Sequence, residues 1–564
     1  MRKIKYKSRG VHPDIVGMFP DEWPEFVKSI LMARSIENYE QVDLKLNQIL
    51  SIGSFHEVIT ATQKILDYFD KKIVIYGDYD ADGATSTSLF ILSLKAMGFK
   101  RVEYFIPDRF SQGYGLSKLG IDAVRIAHDP DLIITVDNGI TAHEAVLYAK
   151  KQGIETIIVD HHLSTDTLPE ALAIVNPNSK YSSFKGKNLA AVGVSFYLLA
   201  NLGLELGCKD IPKKFIDIVA LGTMADLVNL DFTNRTLIKY GLKLLSQRKG
   251  RPGIMMLAER IGIDLENIDE EDLSYKIAPK INAAGRLNQI QLGIDCLIEQ
   301  DRKKLSNICD QLMSVNSKRQ ALQAEMQIQA FDIASRSVEE NDKIIVLQSD
   351  QWHEGIIGLI ASKIKEKYLL PTFIFSGGNH LIKGSGRSVQ GFHLRDFLQE
   401  VSKQDKNLIK NFGGHAMAAG LTIERNSLDD LKVSMLKVID QWNLHIDPAI
   451  YHDGSLTDDD LTIENLELIN QLGPWGKGFE YPRFYQSFYI ESFSWIKDKH
   501  LRMTLRMADA KKIFSAIFFN AKGVNISQDN LYNIDYSPKI NEFNGQRNIQ
   551  LNIFNLNEYG NYKS

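Results

Sequence analysis

Cysteine is scarce in this sequence of 564 residues, which has only Cys208, Cys296 and Cys309. Thiols this few and this scattered exclude a disulfide framework and a thiolate metal site, and they suit a reducing compartment. No apolar run is long enough to span a bilayer, and no apolar signal-peptide core follows the basic first residues. We therefore expect a cytoplasmic protein that has no membrane domain.

A large excess of either charge is also missing, because the formal net charge is -4 at pH 7. A groove for nucleic acid can be basic on an acidic protein, so this value neither favours nor excludes such a partner. Hydrophobic residues make up 44% and charged residues 24% of the chain, as in ordinary globular proteins. Typical domain sizes predict roughly three to five domains.

Three alternating carboxylates follow an apolar segment near residue 75. The segment 73–76 is predicted as a strand, and Asp78, Asp80 and Asp82 come directly after it. Small and hydroxyl residues follow and then give way to apolar residues at helical spacing, which indicates a strand-to-helix turn. Carboxylates so close together repel one another at neutral pH unless a cation lies among them. The stretch therefore predicts a metal site.

Two other interpretations of this stretch remain open. It could be a solvated acidic turn, or an EF-hand calcium loop, which also begins with Asp-x-Asp-x-Asp-Gly. An EF-hand needs a preceding helix and a Glu at the twelfth position of the loop. Here an apolar strand precedes, and Leu89 occupies that position.

The same pattern of apolar strand followed by an acid recurs along the chain. Asp137 follows one predicted strand, and Asp160, His161 and His162 follow the next, while Asp226 ends an apolar helical segment. Strands that alternate with helices form a parallel sheet, so its strand ends should bring these side chains to one edge. The predicted strands are 73–76, 102–106, 132–136, 156–159 and 171–175.

The motifs Asp78-Tyr-Asp-Ala-Asp-Gly, Val136-Asp-Asn-Gly, Val159-Asp-His-His and Gly222-Thr-Met-Ala-Asp-Leu-Val together resemble the DHH phosphoesterase family and, within it, the RecJ single-strand DNA exonucleases. Further matching segments include Pro279-Lys-Ile-Asn-Ala-Ala-Gly-Arg286, Gly384-Ser-Gly-Arg387 and Gly413-Gly-His415, so the resemblance covers nearly the whole chain. It implies an α/β fold with a parallel-sheet DHH catalytic domain, a smaller α/β DHH-associated domain joined by a long helix, and a C-terminal antiparallel barrel of the oligonucleotide-binding (OB) type. We expect a lead-in at 1–50, the DHH domain at 51–296, connecting helices at 297–336, the DHH-associated domain at 337–446 and the OB domain at 447–564.

The resemblance also implies two divalent cations, Mn²⁺ or Mg²⁺. It assigns Asp80 and Asp137 to one ion, and Asp82, Asp137, His161 and Asp226 to the other, so that Asp137 bridges them and a bridging water attacks. Tyr76 stands where many family members have a histidine ligand, and we expect Asp78 to supply the missing ligand. His162 is expected to hydrogen-bond or protonate the phosphate, and Asp160 to orient its neighbours.

Substrate contacts are expected from two other regions. The resemblance implies that Arg109, Arg286, Ser385 and Arg387 form a pocket for a terminal 5′ phosphate, with help from the glycine-rich stretch that contains Gly414 and His415. From the residues alone, the two glycine-rich stretches could hold an anion or form tight turns. In the barrel, the alternation over 501–507 predicts a strand with Arg502 and Arg506 on an outer, DNA-binding face, next to Phe484, Tyr485, Phe488 and Tyr489.

The resulting hypothesis is a metal-dependent 5′→3′ exonuclease on single-stranded DNA that serves repair and recombination. A DHH phosphodiesterase for short oligonucleotides or cyclic dinucleotides, a manganese pyrophosphatase and a catalytically inactive DNA-binding scaffold are the alternatives. A phosphodiesterase or a pyrophosphatase would not need the barrel, and a scaffold would not need the full set of acids. By analogy with the family, we expect single-stranded-DNA-binding protein and a RecQ-type helicase as partners, and we expect the protein to be a monomer.

Overall fold

The computed structural model describes residues 5–10, 17–108, 112–113, 115–339, 343–378, 380–442, 449–508, 512–521, 523–543 and 545–558. The chain divides into two compact units. The larger unit comprises Tyr6–Asn282, Ile290–Cys309 and Tyr451–Ser564, and the smaller unit comprises Met1–Lys5, Ala283–Gln289 and Asp310–Ile450. Among the described residues, no helix combines the length and the apolar character needed to cross a bilayer.

The strands are β1 Lys5–Ser8, β2 Ile73–Tyr76, β3 Val102–Phe105, β4 Leu132–Val136, β5 Glu155–Val159, β6 Ala173–Val175, β7 Ile345–Ser349, β8 Thr372–Ser376, β9 Leu381–Arg387, β10 Asn411–Gly414, β11 Ala418–Glu424, β12 Ala449–His452, β13 Phe484–Ile496, β14 His500–Met507, β15 Ile513–Phe518, β16 Leu531–Phe543 and β17 Gln546–Glu558. The α-helices are α1 Glu25–Met32, α2 His56–Leu66, α3 Ala81–Ala96, α4 Lys118–His128, α5 His143–Lys151, α6 Ala191–Glu205, α7 Ile216–Asp226, α8 Phe232–Ser246, α9 Pro252–Arg260, α10 Ala278–Arg286, α11 Gln291–Ile298, α12 Arg302–Glu339, α13 Ile357–Tyr368, α14 Leu394–Gln404, α15 Leu428–Gln441 and α16 Ile463–Gln471.

A five-stranded parallel sheet forms the centre of the larger unit, in the order β3-β2-β4-β5-β6. Its strands are rich in Val and Ile, and β2 and β4 are buried throughout, as expected of a sheet covered on both faces. The α/β prediction is confirmed. The observed strands differ from the predicted ones by one or two residues: β3 ends at Phe105, β5 begins at Glu155 and β6 begins at Ala173.

The closed barrel β13-β14-β15-β17-β16 also belongs to the larger unit. Leu501, Met503, Leu505 and Met507 of β14 are buried, and Arg502 is exposed, so the predicted alternation is confirmed. The prediction for the preceding strand is wrong in part, because Phe484 and Phe488 are buried. Both rings lie against the buried Tyr536 of β16 and cannot stack on DNA.

Several polar contacts attach the segment before the barrel to the catalytic part of the same unit. Nη1 of Arg34 donates to Oδ1 of Asp453 at 2.7 Å and Nη2 donates to Oδ2 at 3.0 Å. The buried Arg235 donates through Nη2 to the carbonyl oxygen of Leu472 at 2.7 Å. These contacts are within one compact unit, so the barrel is not an independent appendage.

The smaller unit contains a mixed sheet in the order β10-β11-β9-β8-β7, in which only β7 and β8 are parallel. The alternative of a tight turn does not apply to Gly384 and Gly386, which lie inside β9. A Cβ atom at Gly384 would come within 2.4 Å of the Phe375 ring, and one at Gly386 within 2.6 Å of the Phe373 ring. Glycine is needed here because phenylalanine side chains of the core cover the strand.

The helical prediction for 297–336 corresponds to the end of α11 and most of α12, which is one continuous helix of 38 residues. The stretch contains strong helix formers and lacks Gly and Pro, so nothing interrupts the backbone hydrogen bonds. The chain passes from the larger to the smaller unit within α12. The domain boundaries given above remain predictions.

Candidate metal centre and nucleic-acid contacts

The turn after β2 holds three acids in different ways. The side chain of Asp80 accepts a hydrogen bond from the Gly83 N–H at 3.0 Å and caps α3. Asp82 lies in the first turn of α3, and its carboxylate accepts the N–H groups of Ala191 and Val192 at 2.7 and 2.9 Å. A Cβ atom at residue 83 would lie 2.8 Å from the backbone N and O of Asp78. The turn therefore requires glycine at this position.

Asp137 follows β4 with a left-handed backbone, φ +63°. Its N–H donates to the Val159 carbonyl at 3.0 Å, which fixes the residue at the carboxyl edge of the sheet. The side chain is buried, and Oδ1 accepts no hydrogen bond from the described residues, although Nε2 of His161 lies 3.2 Å away. A buried carboxylate oxygen in this state needs a cation or a proton.

His161 and His162 follow β5 in a loop that the side chain of Asp160 stabilises. Oδ1 of Asp160 accepts the N–H groups of His161 and His162 at 2.7 and 3.1 Å, and it lies 2.7 Å from Nδ1 of His162. Burial alone would raise the pKa of Asp160, but the His162 hydrogen bond and the nearby imidazoles lower it to about 2. Burial likewise opposes protonation of His162, yet Asp160 raises the pKa of that imidazole to about 9.

Two asparagines support the same loop, and the sequence analysis missed them. Nδ2 of Asn176 donates to the His162 carbonyl at 2.8 Å, and Nδ2 of Asn178 donates to the His161 carbonyl at 2.6 Å. Both residues follow β6 in the stretch Val-Asn-Pro-Asn. Their place directly after a strand of the same parallel sheet was the available signal.

Asp226 is the last residue of α7, and the left-handed Leu227 ends the helix. Its Oδ2 lies 3.7 Å from Nε2 of His161, and the same nitrogen lies 3.9 Å from Oδ2 of Asp82. The apolar helix that precedes Asp226 in the sequence is buried against α3 and α8. The helix thus carries this acid to the group at the sheet edge.

The acids and histidines form three groups of potential ligands, each with its ligand atoms within 4.8 Å of one another. The groups are Asp78, Asp80 and Asp137; Asp82, His161 and Asp226; and Asp137, His161 and His162. Asp137 and His161 each belong to two groups. This arrangement agrees with the bridging role predicted for Asp137, while the assignment of each ligand to an ion remains a prediction.

The electrostatics of this cluster also favour bound cations. Burial, and then repulsion from neighbouring carboxylates, raises the pKa of Asp82 and Asp137 well above the usual range. The same causes raise the pKa of Asp226 to about 7. Hard oxygen ligands with an imidazole suit Mn²⁺ or Mg²⁺, so the donor set fits the predicted ions.

The predicted phosphate-binding residues lie in the smaller unit, except Arg109, which is outside the described residues. Nη1 of Arg387 donates to Oγ of Ser385 at 2.9 Å and to the Gly386 carbonyl at 2.8 Å. Arg387 lies against Gly358, where an added Cβ would be 2.7 Å from Nη2. Arg286 ends α10, and its Nη1 donates to the Gly355 carbonyl at 3.1 Å. The structure therefore brings both arginines to the short segment 355–358.

Gly414 and His415 lie where β10 turns into β11 within the same sheet. Gly414 has φ +137°, and the His415 N–H donates to the Ala418 carbonyl at 2.8 Å. Ala418 is opposite Arg387 in the pairing of β11 with β9. These two predicted residues are thus near Arg387 in the sheet, and desolvation lowers the pKa of the Arg387 guanidinium.

The barrel surface differs in part from the predicted one. Arg502 is exposed, but Arg506 pairs with Glu491 and lies over the Tyr489 ring, 4.7 Å from its centroid. Phe493 and Trp495 of β13 are exposed, but they are opposite Met503 and Leu501 in β14, whereas Arg502 is opposite Ser494, so the two rings lie on the other face of the strand pair from Arg502. The sequence analysis missed this pair because it placed the aromatic face at the other end of the same strand.

Models of three families match the chain: the N-terminal domain of the DHH family at residues 72–223, the DHHA1 domain at 341–443 and the RecJ OB domain at 452–555. The single-stranded-DNA-specific exonuclease RecJ of Haemophilus influenzae is 36% identical over 92% of this chain and 94% of its own length. The corresponding protein of Dickeya dadantii is 34% identical over 95% of this chain and 96% of its own length. The crystal structure of RecJ from Thermus thermophilus in complex with Mn²⁺ has a TM-score of 0.81 at 26% identity and covers 95% of this chain and 76% of that chain.

Proposed function

Because the chain belongs to the RecJ family of single-stranded-DNA-specific exonucleases, we propose that it removes nucleotides from the 5′ end of single-stranded DNA with two divalent cations, Mn²⁺ or Mg²⁺. The observation that supports this most is the set of three adjoining ligand groups that share Asp137 and His161. A single-ion site would not need two shared ligands. Repair and recombination of DNA are the processes that such an activity serves.

The proposed ligands follow the groups of the structure. Asp78, Asp80 and Asp137 would hold one ion, and the group of Asp82, His161 and Asp226 would hold the other, together with Asp137, which shares a further group with His161. Divalent ions bound there supply a nucleophile at neutral pH and neutralise charge on the phosphate. Asp82 contributes in a second way, because the two N–H groups it accepts hold its carboxylate in one orientation before any ion binds.

His162 acts on the phosphate in this proposal. Asp160 lies 2.7 Å from Nδ1 of His162 and stabilises the protonated ring, in which Nε2 also carries a proton. This second N–H can donate to a non-bridging phosphate oxygen as charge develops during hydrolysis. Asn176 and Asn178 keep the loop in place and do not contact the phosphate themselves.

The proposed 5′→3′ polarity depends on recognition of the 5′ end of the strand. The residues proposed for this recognition are Arg286, Ser385 and Arg387, together with Arg109 and the turn that contains Gly414 and His415. Arg387 is a largely buried cation with no ion-pair partner among the described carboxylates, which suits a phosphate that carries extra charge. A terminal 5′ phosphate is such a ligand. The barrel, through Arg502 and Arg506, is proposed to bind the strand farther from the cut.

Two further proposals come from analogy. The partners would be single-stranded-DNA-binding protein and a RecQ-type helicase, and the enzyme would act as a monomer in the cytoplasm. The match to the RecJ OB domain favours a long strand over a cyclic dinucleotide as substrate. The intact ligand groups favour an enzyme over an inactive scaffold.

One experiment tests the proposed function. Purified protein with Mn²⁺ is given a single strand labelled at either end, and duplex DNA, RNA and a cyclic dinucleotide serve as comparisons. We expect early release of the 5′ label as mononucleotide, while the 3′ label stays on progressively shorter strands. Equal release of both labels, or faster cleavage of the cyclic dinucleotide, would contradict the proposal.

A further inference from the structure

A rigid loop of residues 473–479 precedes the barrel in the larger unit. The Trp475 N–H donates to Oε1 of Glu270 at 2.8 Å, and its indole N–H donates to the Ile469 carbonyl at 3.1 Å. The Trp475 and Phe479 rings stack with centroids 4.7 Å apart, and the Arg235 guanidinium lies 3.7 Å from the Phe479 ring centroid. Anchors at both ends therefore leave the middle of the loop little freedom.

The middle of this loop packs against the segment 224–230, which carries Asp226 of the metal centre. The Leu230 N–H donates to the Lys477 carbonyl at 2.8 Å. A Cβ atom at Gly476 would come within 2.7 Å of the Leu230 side chain, and one at Gly478, which has φ +78°, within 3.4 Å of Asn229. The glycines on both sides of Lys477 thus permit a close approach to the chain around Asp226.

Lys477 is exposed, and its ammonium group has neither a hydrogen bond nor an ion pair with the described residues. The Asp226 side chain is 25% exposed, so this side of the acid cluster is open to solvent. The contacts of the loop with Asn229 and Leu230 therefore place an exposed cation next to the chain segment that carries Asp226.

We propose that Lys477 binds a phosphate of the DNA strand next to the bond being cut, as a substrate-binding residue contributed by the segment that precedes the barrel. The inference rests on the proposed function, because it needs a polynucleotide in the metal centre. Carboxylates repel a polyanion, and an ammonium group beside them offsets that repulsion where the strand enters. An exposed lysine with no protein partner keeps its three donors for phosphate oxygens.

The first test compares Lys477→Ala, Lys477→Arg and Lys100→Ala. Lys100 is an exposed lysine just before β3, at the opposite edge of the parallel sheet, so its variant makes the same change of charge away from the site. We expect Lys477→Ala to lower kcat/KM on single strands about tenfold, as for the loss of a charge-assisted hydrogen bond. The slope of the logarithm of the DNA-binding constant against the logarithm of the salt concentration should become shallower by about 0.7, which is the value for one phosphate contact on a single strand. Lys477→Arg should keep most of the wild-type kcat/KM and salt slope, and Lys100→Ala should change neither quantity.

The second test locates the phosphate with strands that carry one neutral methylphosphonate at successive positions from the 5′ end. With the wild type, the methylphosphonate at one position should lower kcat/KM about tenfold more than it does at the neighbouring positions. With Lys477→Ala, this extra decrease at that position should disappear. If the effects of Lys477→Ala and of the methylphosphonate on kcat/KM were additive at every position, the inference would be overturned. An unchanged salt slope in Lys477→Ala would overturn it as well. A wild-type protein that fails to cut single strands would overturn the proposed function and this inference with it, whereas the former two results would overturn the inference alone.

Discussion

At the scale of single residues, the backbone of Asp137 decides how its role should be tested. Its φ of +63° lies in the left-handed region, which Asp and Asn adopt more readily than Ala. An alanine variant would therefore combine the loss of a ligand with backbone strain of roughly 1–2 kcal/mol. Asparagine keeps the shape and removes only the charge.

We expect Asp137→Asn to lower cleavage by about 100-fold or more, because this carboxylate is shared by two ligand groups. In the wild type, Mn²⁺ should raise Tm, since a bound cation relieves the repulsion among the acids. That rise should shrink in the variant. Asp67→Asn, an exposed change outside the site, is the control. A variant that kept more than about a tenth of the wild-type rate would contradict the shared role.

Arg387 offers the sharpest test of direction. Arg387→Ala should reduce the preference for 5′-phosphorylated over 5′-hydroxyl strands by about tenfold or more, since each charge-assisted hydrogen bond contributes about 1.5–3 kcal/mol. The ratio of the two substrates is the measurement, because partial unfolding of the variant affects both equally. Arg395→Ala, which removes an exposed arginine of the same unit, should leave the ratio unchanged. An unaltered ratio in Arg387→Ala would place the terminal phosphate elsewhere.

At the scale of helices and strands, the sequence predicted the catalytic part best. Apolar runs followed by acids identified β2, β4 and β5 because strand ends and ligands coincide there. The sequence failed where side chains from distant segments decide, as in β9, whose glycines are explained only by Phe373 and Phe375. Asn176 and Asn178 were missed for a related reason, since their hydrogen bonds go to backbone atoms of another loop.

The contact between Glu270 and Trp475 gives an element-scale prediction about pH. Burial raises the pKa of Glu270 to about 7, from about 4.5 in the unfolded chain. The folded state therefore binds the proton more tightly, and the contribution of Glu270 to stability falls as pH rises from about 4.5 to 7. Glu270→Gln removes that loss and can still accept the Trp475 N–H through its amide oxygen.

We expect Glu270→Gln to be more stable than the wild type by roughly 3 kcal/mol above pH 7 and equally stable below about pH 4.5. Urea unfolding midpoints at pH 5 and pH 8 measure the difference. Glu271→Gln is the matched control, because the more exposed Glu271 pairs with Lys539 at the surface. A constant difference between Glu270→Gln and wild type across this pH range would show that the carboxyl is not buried in solution.

At the scale of the whole molecule, the barrel belongs to the same compact unit as the catalytic sheet, although roughly 300 residues separate the end of β6 from the start of β13. Removing residues from 449 onward should therefore lower Tm and expose the catalytic part to proteolysis, because Arg34 and Arg235 lose partners. A chain that ends at residue 558 keeps every barrel strand and is the control. If the chain that lacks residues from 449 onward kept the wild-type Tm, the barrel would fold independently of the catalytic part.

The contacts of Arg34 and Arg235 also bear on the order of events during synthesis. The ribosome delivers the catalytic sheet first and the segment with Asp453 and Leu472 much later, after the whole smaller unit. Domains generally fold as they emerge from the ribosome. The catalytic sheet can therefore form while Arg34 and Arg235 still lack their hydrogen-bond partners, which are synthesised later. A chain whose translation stops before residue 453 therefore carries the complete set of ligand acids, but it lacks the contacts that these two arginines make in the finished protein.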